Sequence, residues 1–296
     1  MPELPDIVTY LRALEPRVVG QPLEGVRLAS PFVLRSVEPP LRASFGKRVT
    51  GLERIGKRIV FVLEDELFLV VHLMVAGRFQ WKTRGDKVPG KVGLGAFDFP
   101  TGSLIFTEAS TKKRASLHVV GGRDALAAFS RGGAEPLEAD LAGFREALLR
   151  ERHTLKRALT DPRLFSGIGN AYSDEILHAA QLSPVTRTDR LSDEQIARLH
   201  ETTRRVLTEW TERLSREAAT EFPAKVTAFR PEMAVHGKYD QPCPVCGTKV
   251  QRIVYAENES NYCPRCQTGG KLLADRSLSR LLKDNWPRTI EELEGR

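Results

Sequence analysis

The sequence predicts an α+β fold: a β-rich first part, a helical second part and a small cysteine-bearing unit near the end. Three observations carry this. Short β-branched and aromatic runs recur between residues 58 and 108. Apolar residues then recur at helical spacing from about 141 to 215. All four cysteines lie between Cys243 and Cys266.

The elements follow in chain order. "DIVTYLRALEPRVVG" predicts a helix, because Ile7, Leu11 and Leu14 fall on one face and Gly20 follows. "KRIVFVLEDELFLVVHLMVAGRFQW" predicts a hairpin whose two apolar runs flank the acidic turn Glu64-Asp65-Glu66. "GAFDFPTGSLIFTE" predicts another, turning at Pro100-Thr101-Gly102. Strands this short and this close suggest a sandwich or barrel. "SRGGAEPLEAD" has the composition of a linker. Phe144, Leu148, Leu155 and Leu159 then form one helical face that Asp161-Pro162 ends. "SGIGNAYSDEILHAAQLSP" reads as a glycine turn opening into a short helix, with Asn170 its cap. "SDEQIARLHETTRRVLTEWTERL" is a further helix capped by Ser192.

Composition narrows the function. The 296 residues suffice for two or three domains. The longest apolar run, Leu67 to Val71, is far too short for a membrane span, and no targeting segment is visible. A net charge of +7 suits a polyanionic partner without demanding one. Clustered cysteines argue for a metal over a secreted disulfide framework. Cys243-x-x-Cys246 and Cys263-x-x-Cys266, sixteen residues apart, match a zinc ribbon. Four thiolates make a closed tetrahedral site, hence one structural zinc with no open catalytic position. Residues 236–283 around it carry eight Lys and Arg against Asp240, Glu257, Glu259 and Asp275, which fits either a phosphate-contacting element or a solvated basic face.

Two further stretches carry chemistry. Ser166-Gly167-Ile168-Gly169-Asn170 precedes a helix, where free amides and the helix dipole favour phosphate. The chain starts "MPELPD". Removal of Met1 would leave Pro2 with a secondary amine able to form an iminium with an aldehyde-like carbon. An α-amine titrates near ~7.8 and a lysine near ~10.4, so roughly a tenth of the former is free base at neutral pH. Glu3 beside it can move the accompanying protons.

Together these residues resemble the formamidopyrimidine-DNA glycosylase / endonuclease VIII family, from residue 1 to about 267. "MPELPD" resembles the family's N-terminus, "RIGKRIVF" the strand of its catalytic lysine, and "HLMVAG" its His-Leu-Gly-Met-Ser-Gly loop. "LKRALTDPRLFSGIGNAYSDEILHAAQLSP" resembles its helix–two-turn–helix motif, and "HGKYDQPCPVCG" through "NYCPRCQ" its zinc finger. The resemblance implies an N-terminal β-sandwich domain (1–130), a linker (131–140), a helix–two-turn–helix DNA-binding domain (141–235), a zinc-finger β-hairpin (236–270) and a C-terminal extension (271–296). It implies a monomer acting in the cytoplasm, associated with the nucleoid, on double-stranded DNA with a damaged base or abasic site held in a cleft between domains. Pro2 would attack C1′ of a flipped nucleotide, Glu3 would shuttle protons, and Lys57 would assist at the sugar and phosphate. Lys156, Gly169 and Asn170 would grip phosphates, while Glu175 would hold the helix pair together.

Departures from the family fall on recognition. Met74 stands where the family has glycine, and Val75 where a methionine fills the gap left by the flipped base. "STKKRASLH" offers Lys112, Lys113 and Arg114 as DNA contacts but lacks the family's Arg-Arg-Phe-Gly. Asn258 replaces a phosphate-clamping arginine, for which Arg252 or Arg265 would compensate. Asp6 replaces a glutamate. About 29 residues follow Gln267, and they either dock as a helix through Leu278, Leu281 and Leu282 or bind DNA or a partner. The expected function is excision of a damaged, oxidised base through a Pro2 iminium, followed by β,δ-elimination. The alternatives are the same chemistry on oxidised pyrimidines or an unusual bulky lesion, and a catalytically idle damaged-DNA-binding protein.

Overall fold

The computed structural model describes residues 1–223, 226, 229–255, 258–274 and 287–295, with the side chains of Tyr255, Asn258 and Glu294 outside that description. Leu278, Leu281 and Leu282 lie outside the described residues. The chain forms two compact units, Met1–Arg131 with Glu209–Thr227, and Gly132–Thr208 with Ala228–Arg296.

The first unit is a sandwich of two antiparallel four-stranded sheets. One sheet has the order β2 (Val49–Ile55), β3 (Arg58–Leu63), β4 (Leu67–His72), β8 (Ser116–Gly121). The other has the order β1 (Gly25–Leu28), β6 (Gly93–Phe99), β7 (Gly102–Glu108), β5 (Gly77–Lys82). Ile59, Phe61, Leu69, Val71, Phe79, Phe97 and Phe106 fill the space between. The opposite face of β3 and β4 is also buried, with Val60, Phe68 and Val70 packed against Val120 and Leu126, the last on α2 (Arg123–Ala127). Burial on both faces is why these strands read as continuous apolar runs and not as alternation.

Both predicted hairpins form, β3–β4 around residues 64–66 and β6–β7 around 100–101. The second run of the first hairpin does not continue to Trp81. It breaks at residues 73–76, and β5 pairs with β7 in the other sheet. The turn closes with the Gly77 amide donating to the Leu73 carbonyl at 2.8 Å.

Helix α1 (Leu4–Val18) buries Ile7, Tyr10, Leu14 and Val18 completely. Each such burial stabilises by roughly 1.5–3 kcal/mol, which anchors the N-terminus on the sandwich. Glu3 caps the helix, its own amide donating to Asp6 Oδ2 at 2.9 Å.

In the second unit the single helical face expected over 144–159 is two helices, α3 (Leu141–Leu149) and α4 (Leu155–Thr160). Thr154 caps α4, its hydroxyl accepting from the Arg157 amide, and so interrupts the run. Helix α5 (Asn170–Ala179) follows the glycine turn, with Gly167 at φ +82°. Its cap is Gly169, and Asn170 is its first residue, which corrects the expected capping role of Asn170. Helix α6 (Asp193–Glu217) starts at the predicted cap, where Ser192 and Gln195 exchange bonds. Strands β9 (Gln251–Tyr255) and β10 (Asn258–Tyr262) form a hairpin, followed by α7 (Pro264–Thr268). The chain's end returns to this region. Leu272 donates to the Arg288 carbonyl, and Ile290, buried at the start of α8 (Ile290–Glu294), donates to Gly270.

The helical domain expected over 141–235 is divided, because residues 209–227 group with the sandwich. Phe222 packs on Tyr10 and Trp81, and Arg12 bonds Glu212 and Ser215. Among the described residues no helix is long and apolar enough to cross a membrane.

Candidate active site and zinc centre

In the first unit the elements converge on the start of the chain. Pro2 and Glu3 are buried, and Met1 precedes them. The terminal ammonium is held below the usual α-amine value. Burial is the main cause and Arg78 and Lys57 add to it, while Glu3 and Asp6 oppose it. Lys57 sits in the Gly56-Lys57 turn between β2 and β3, not within a strand. Arg78 is the second residue of β5, and sequence reasoning gave it no role. Two carboxylates and two cations thus act on the terminal amine from three elements.

Beside them runs the loop at residues 74–76. Met74 is at φ +53°, the left-handed region where a side chain costs roughly 1–2 kcal/mol and glycine would be unstrained. Val75 is 59% exposed. Arg78 Nη1 donates to the carbonyls of Val75 at 3.2 Å and Gly77 at 2.6 Å. Gly77 pairs with Glu108, whose buried carboxylate accepts from the Arg114 and Ala115 amides at 3.0 and 3.1 Å. Lys113 donates to the Glu108 carbonyl. The structure therefore brings the Lys112–Arg114 segment next to the Val75 loop, with Glu108 as the anchor that the sequence did not reveal.

His72, at the end of β4, is held mostly neutral. Burial, then the positive charges of Arg58 and Lys57, push its imidazole down to about 4.

In the second unit Lys156, on α4, reaches α5. Its ammonium donates to the Asn170 carbonyl at 2.6 Å and to Asp174 Oδ1 at 2.5 Å. Asp174 is fully buried and also bonds His236 Nδ1 at 2.8 Å and Ser260 Oγ at 3.1 Å. Burial alone would raise its pKa, but Lys156 and His236 outweigh that and hold it below the ordinary carboxylate value. Gly169 and Asn170 thus lie at a helix start beside a cation that an internal carboxylate partly compensates. Glu175 does not join the helix pair. Its carboxylate accepts from the amides of Ala234, Val235 and His236 at 2.8, 2.9 and 3.0 Å, fixing the approach to the cysteine unit.

The four thiols lie within 4.8 Å of one another, with Sγ–Sγ distances of 3.9 Å for Cys243–Cys266 and 3.4 Å for Cys246–Cys263. Four sulfurs about 2.3 Å from a tetrahedral zinc would sit about 3.8 Å apart, so the donors fit one structural zinc. His178 Nε2 lies 3.3 Å from Cys243 Sγ and supplies an outer hydrogen bond. The backbone of Asn258 begins β10. Arg252, its suggested substitute, stacks over Tyr239 at 4.3 Å and pairs with Glu259 at 3.4 Å.

Comparison with known proteins agrees with both units. Three domain families match: "Formamidopyrimidine-DNA glycosylase N-terminal domain" over residues 1–118, "Formamidopyrimidine-DNA glycosylase H2TH domain" over 133–219, and "Zinc finger found in FPG and IleRS" over 240–269. The formamidopyrimidine-DNA glycosylase of Thermus thermophilus is 33% identical over 276 residues, 91% of this chain and 100% of the relative. An uncharacterised formamidopyrimidine-DNA glycosylase-like protein of Mycobacterium tuberculosis is 43% identical over 144 residues, 49% of this chain and 87% of the relative. A Lactococcus lactis FPG mutant in complex with Fapy-dG-containing DNA superimposes with a TM-score of 0.79 at 29% identity, covering 90% of this chain and 100% of that one. The Thermus thermophilus MutM (FPG) structure gives 0.76 at 32% identity, covering 90% and 98%.

Proposed function

This chain belongs to the formamidopyrimidine-DNA glycosylase family, and on that footing we propose that it is a bifunctional DNA glycosylase and AP lyase of base-excision repair. The observation that carries the reading is the buried start of the chain, where Glu3, Asp6, Lys57 and Arg78 all act on the terminal amine. Its substrate is double-stranded DNA with a damaged base or an abasic site, met in the cytoplasm at the nucleoid.

The reaction begins once Met1 is removed. The free lone pair of Pro2 attacks C1′ of a flipped nucleotide as the bond from C1′ to the base breaks, and the proton that the Pro2 nitrogen then sheds leaves on the base. Glu3 gives a proton to the sugar ring oxygen as the ring opens, leaving an iminium on Pro2. Loss of a C2′ proton then expels the 3′ phosphate, and a second elimination expels the 5′ phosphate. Lys57 steadies the sugar and nearby phosphate. Burial holds the Met1 ammonium that precedes Pro2 below its usual value, and surroundings of that kind favour an unprotonated amine.

Lys156, Gly169 and Asn170 bind backbone phosphate at the start of α5. Val75 enters the stack at the vacated position, and Lys112, Lys113 and Arg114 meet the opposite strand. Asn258 offers an uncharged phosphate contact from the zinc hairpin. The zinc keeps that hairpin folded.

Borohydride trapping on duplexes bearing an abasic site, 8-oxoguanine, formamidopyrimidine or an oxidised pyrimidine tests the reading. A covalent adduct that Pro2→Gly abolishes is expected. No adduct on any duplex would leave only a DNA-binding role, and an adduct unaffected by Pro2→Gly would move the nucleophile elsewhere.

A further inference from the structure

We propose that residues 271–274 and 287–295 form a clasp on the second cysteine knuckle, Cys263-x-x-Cys266, and that the clasp slows loss of the structural zinc. The inference concerns the metal centre and stands apart from the glycosylase reading. These residues lie beyond the matched zinc finger, which ends at residue 269.

The knuckle is bracketed on both sides. Before it stands the buried Tyr262, whose hydroxyl accepts from the Leu273 amide at 2.8 Å. After it, α7 carries Cys266 and ends at Gly269 in the left-handed region, φ +61°. Gly270 follows at φ +86°, its amide donating back to the Pro264 carbonyl at 3.0 Å. Two left-handed residues in succession suit glycine and reverse the chain. The reversed chain then meets residues 288–290. Lys271 and Thr289 form an antiparallel bridge. The Leu272 amide donates to the Arg288 carbonyl and the Ile290 amide to the Gly270 carbonyl, both at 2.9 Å.

The returning segment is itself held in shape. Thr289 caps α8, accepting from the Glu292 amide at 3.3 Å, and the Glu292 carboxylate accepts from the Arg288 amide at 2.8 Å. Ile290 is 1% exposed and Pro287 is buried. A Cβ on Gly270 would lie 3.8 Å from the Glu291 carboxylate and 4.0 Å from Ile290 Cγ2, so α8 sits directly over the residue by which the chain leaves α7. Zinc escapes only when thiolates swing away from it, which requires local opening of a knuckle. Cys266 belongs to α7, and α7 is tied at its exit to residues 288–290. Opening this knuckle therefore also breaks the clasp.

The test is the rate of zinc release from the zinc-loaded full chain to excess chromogenic chelator, with no DNA present. Ile290→Ser keeps the chain length and should speed release about tenfold, because the buried anchor of the clasp is lost. Leu293→Ala, at an exposed position of α8, should release zinc at the wild-type rate. A chain ending at Ala274 retains all three matched domains and should release zinc at least about tenfold faster than the full chain. Amide hydrogen exchange at Leu272 and Ile290 should be slow in the wild type and fast in Ile290→Ser. A wild-type release rate in Ile290→Ser, or equal acceleration by Leu293→Ala, would overturn the inference, as would rapid exchange of both amides in the wild type. None of these readouts involves DNA cleavage, so their failure leaves the glycosylase reading intact.

Discussion

Replacing Asp174 with Asn removes the carboxylate shared by Lys156, His236, Ser260 and Asn261. The Asp174 side chain is 0% exposed and that of Lys156 only 14%, so solvent screens their attraction weakly. Removing one partner of such a buried pair costs roughly 3–5 kcal/mol. Asparagine keeps one oxygen acceptor of the same reach, which places the expected loss at the low end, about 3 kcal/mol. Lys156→Met leaves the 0%-exposed Asp174 carboxylate to His236 and Ser260 alone and should cost at least as much, about 3–5 kcal/mol. The double variant should then lose about 1–3 kcal/mol less than the sum of the two, since each single change breaks the same pair.

The assay is urea unfolding followed by zinc release to a chromogenic chelator, because the cysteines belong to the same unit as Asp174. Asp174 is held low in the folded protein, so its contribution is present above its unfolded pKa and lost as pH falls through the folded one. The Asp174→Asn penalty should therefore shrink in acid. A midpoint within error of the wild type, or strict additivity of the two substitutions, would refute the claim that this ion pair organises the unit.

Other outcomes follow from the same structure. His72 has a folded pKa of about 4 against an ordinary 6.5, so the unfolded chain binds more protons between these values and stability rises with pH across that window. The effect is about 3 kcal/mol in total and should be flattened in His72→Gln, read from unfolding midpoints at pH 4 to 7. Gly77→Ala places a Cβ 2.1 Å from the Leu73 carbonyl oxygen, so the 74–76 loop must open. Base release should fall by at least about tenfold while zinc content stays whole. Cys246→Ser, or chelation, should release zinc, expose the 243–266 hairpin to protease and weaken binding to duplex DNA; retained protection would refute the metal's structural role.

Several features were legible because their signals are local. The cysteine spacing gave the metal site before any fold was known. The cap at Ser192 and the turns at 64–66 and 100–101 depend on residues within a few positions of one another. The glycine turn announced α5, though the cap proved to be Gly169, since neighbouring residues compete for that position and the backbone decides. The break at 73–76 was hidden because apolar residues continue through it. Only the pairing of β5 with β7 shows that the chain changes sheets there.

The sequence alone determined the groups available to this protein: Pro2 beside the Glu3 carboxylate, a four-thiolate zinc site and a glycine turn opening a helix. Tertiary structure alone decided which groups surround that chemistry. Asp174 and His236 are 62 residues apart in the chain and 2.8 Å apart in space. Arg78 lies 77 positions from the terminal amine in the chain, yet its charge acts on it. Local propensity acts over a few residues, whereas the field at a buried group is set by whichever side chains the returning chain places within several ångströms. At "MPELPD" the first six residues supply the proposed nucleophile and its carboxylates, and the fold brings Lys57 and Arg78 to bear on the buried start of the chain.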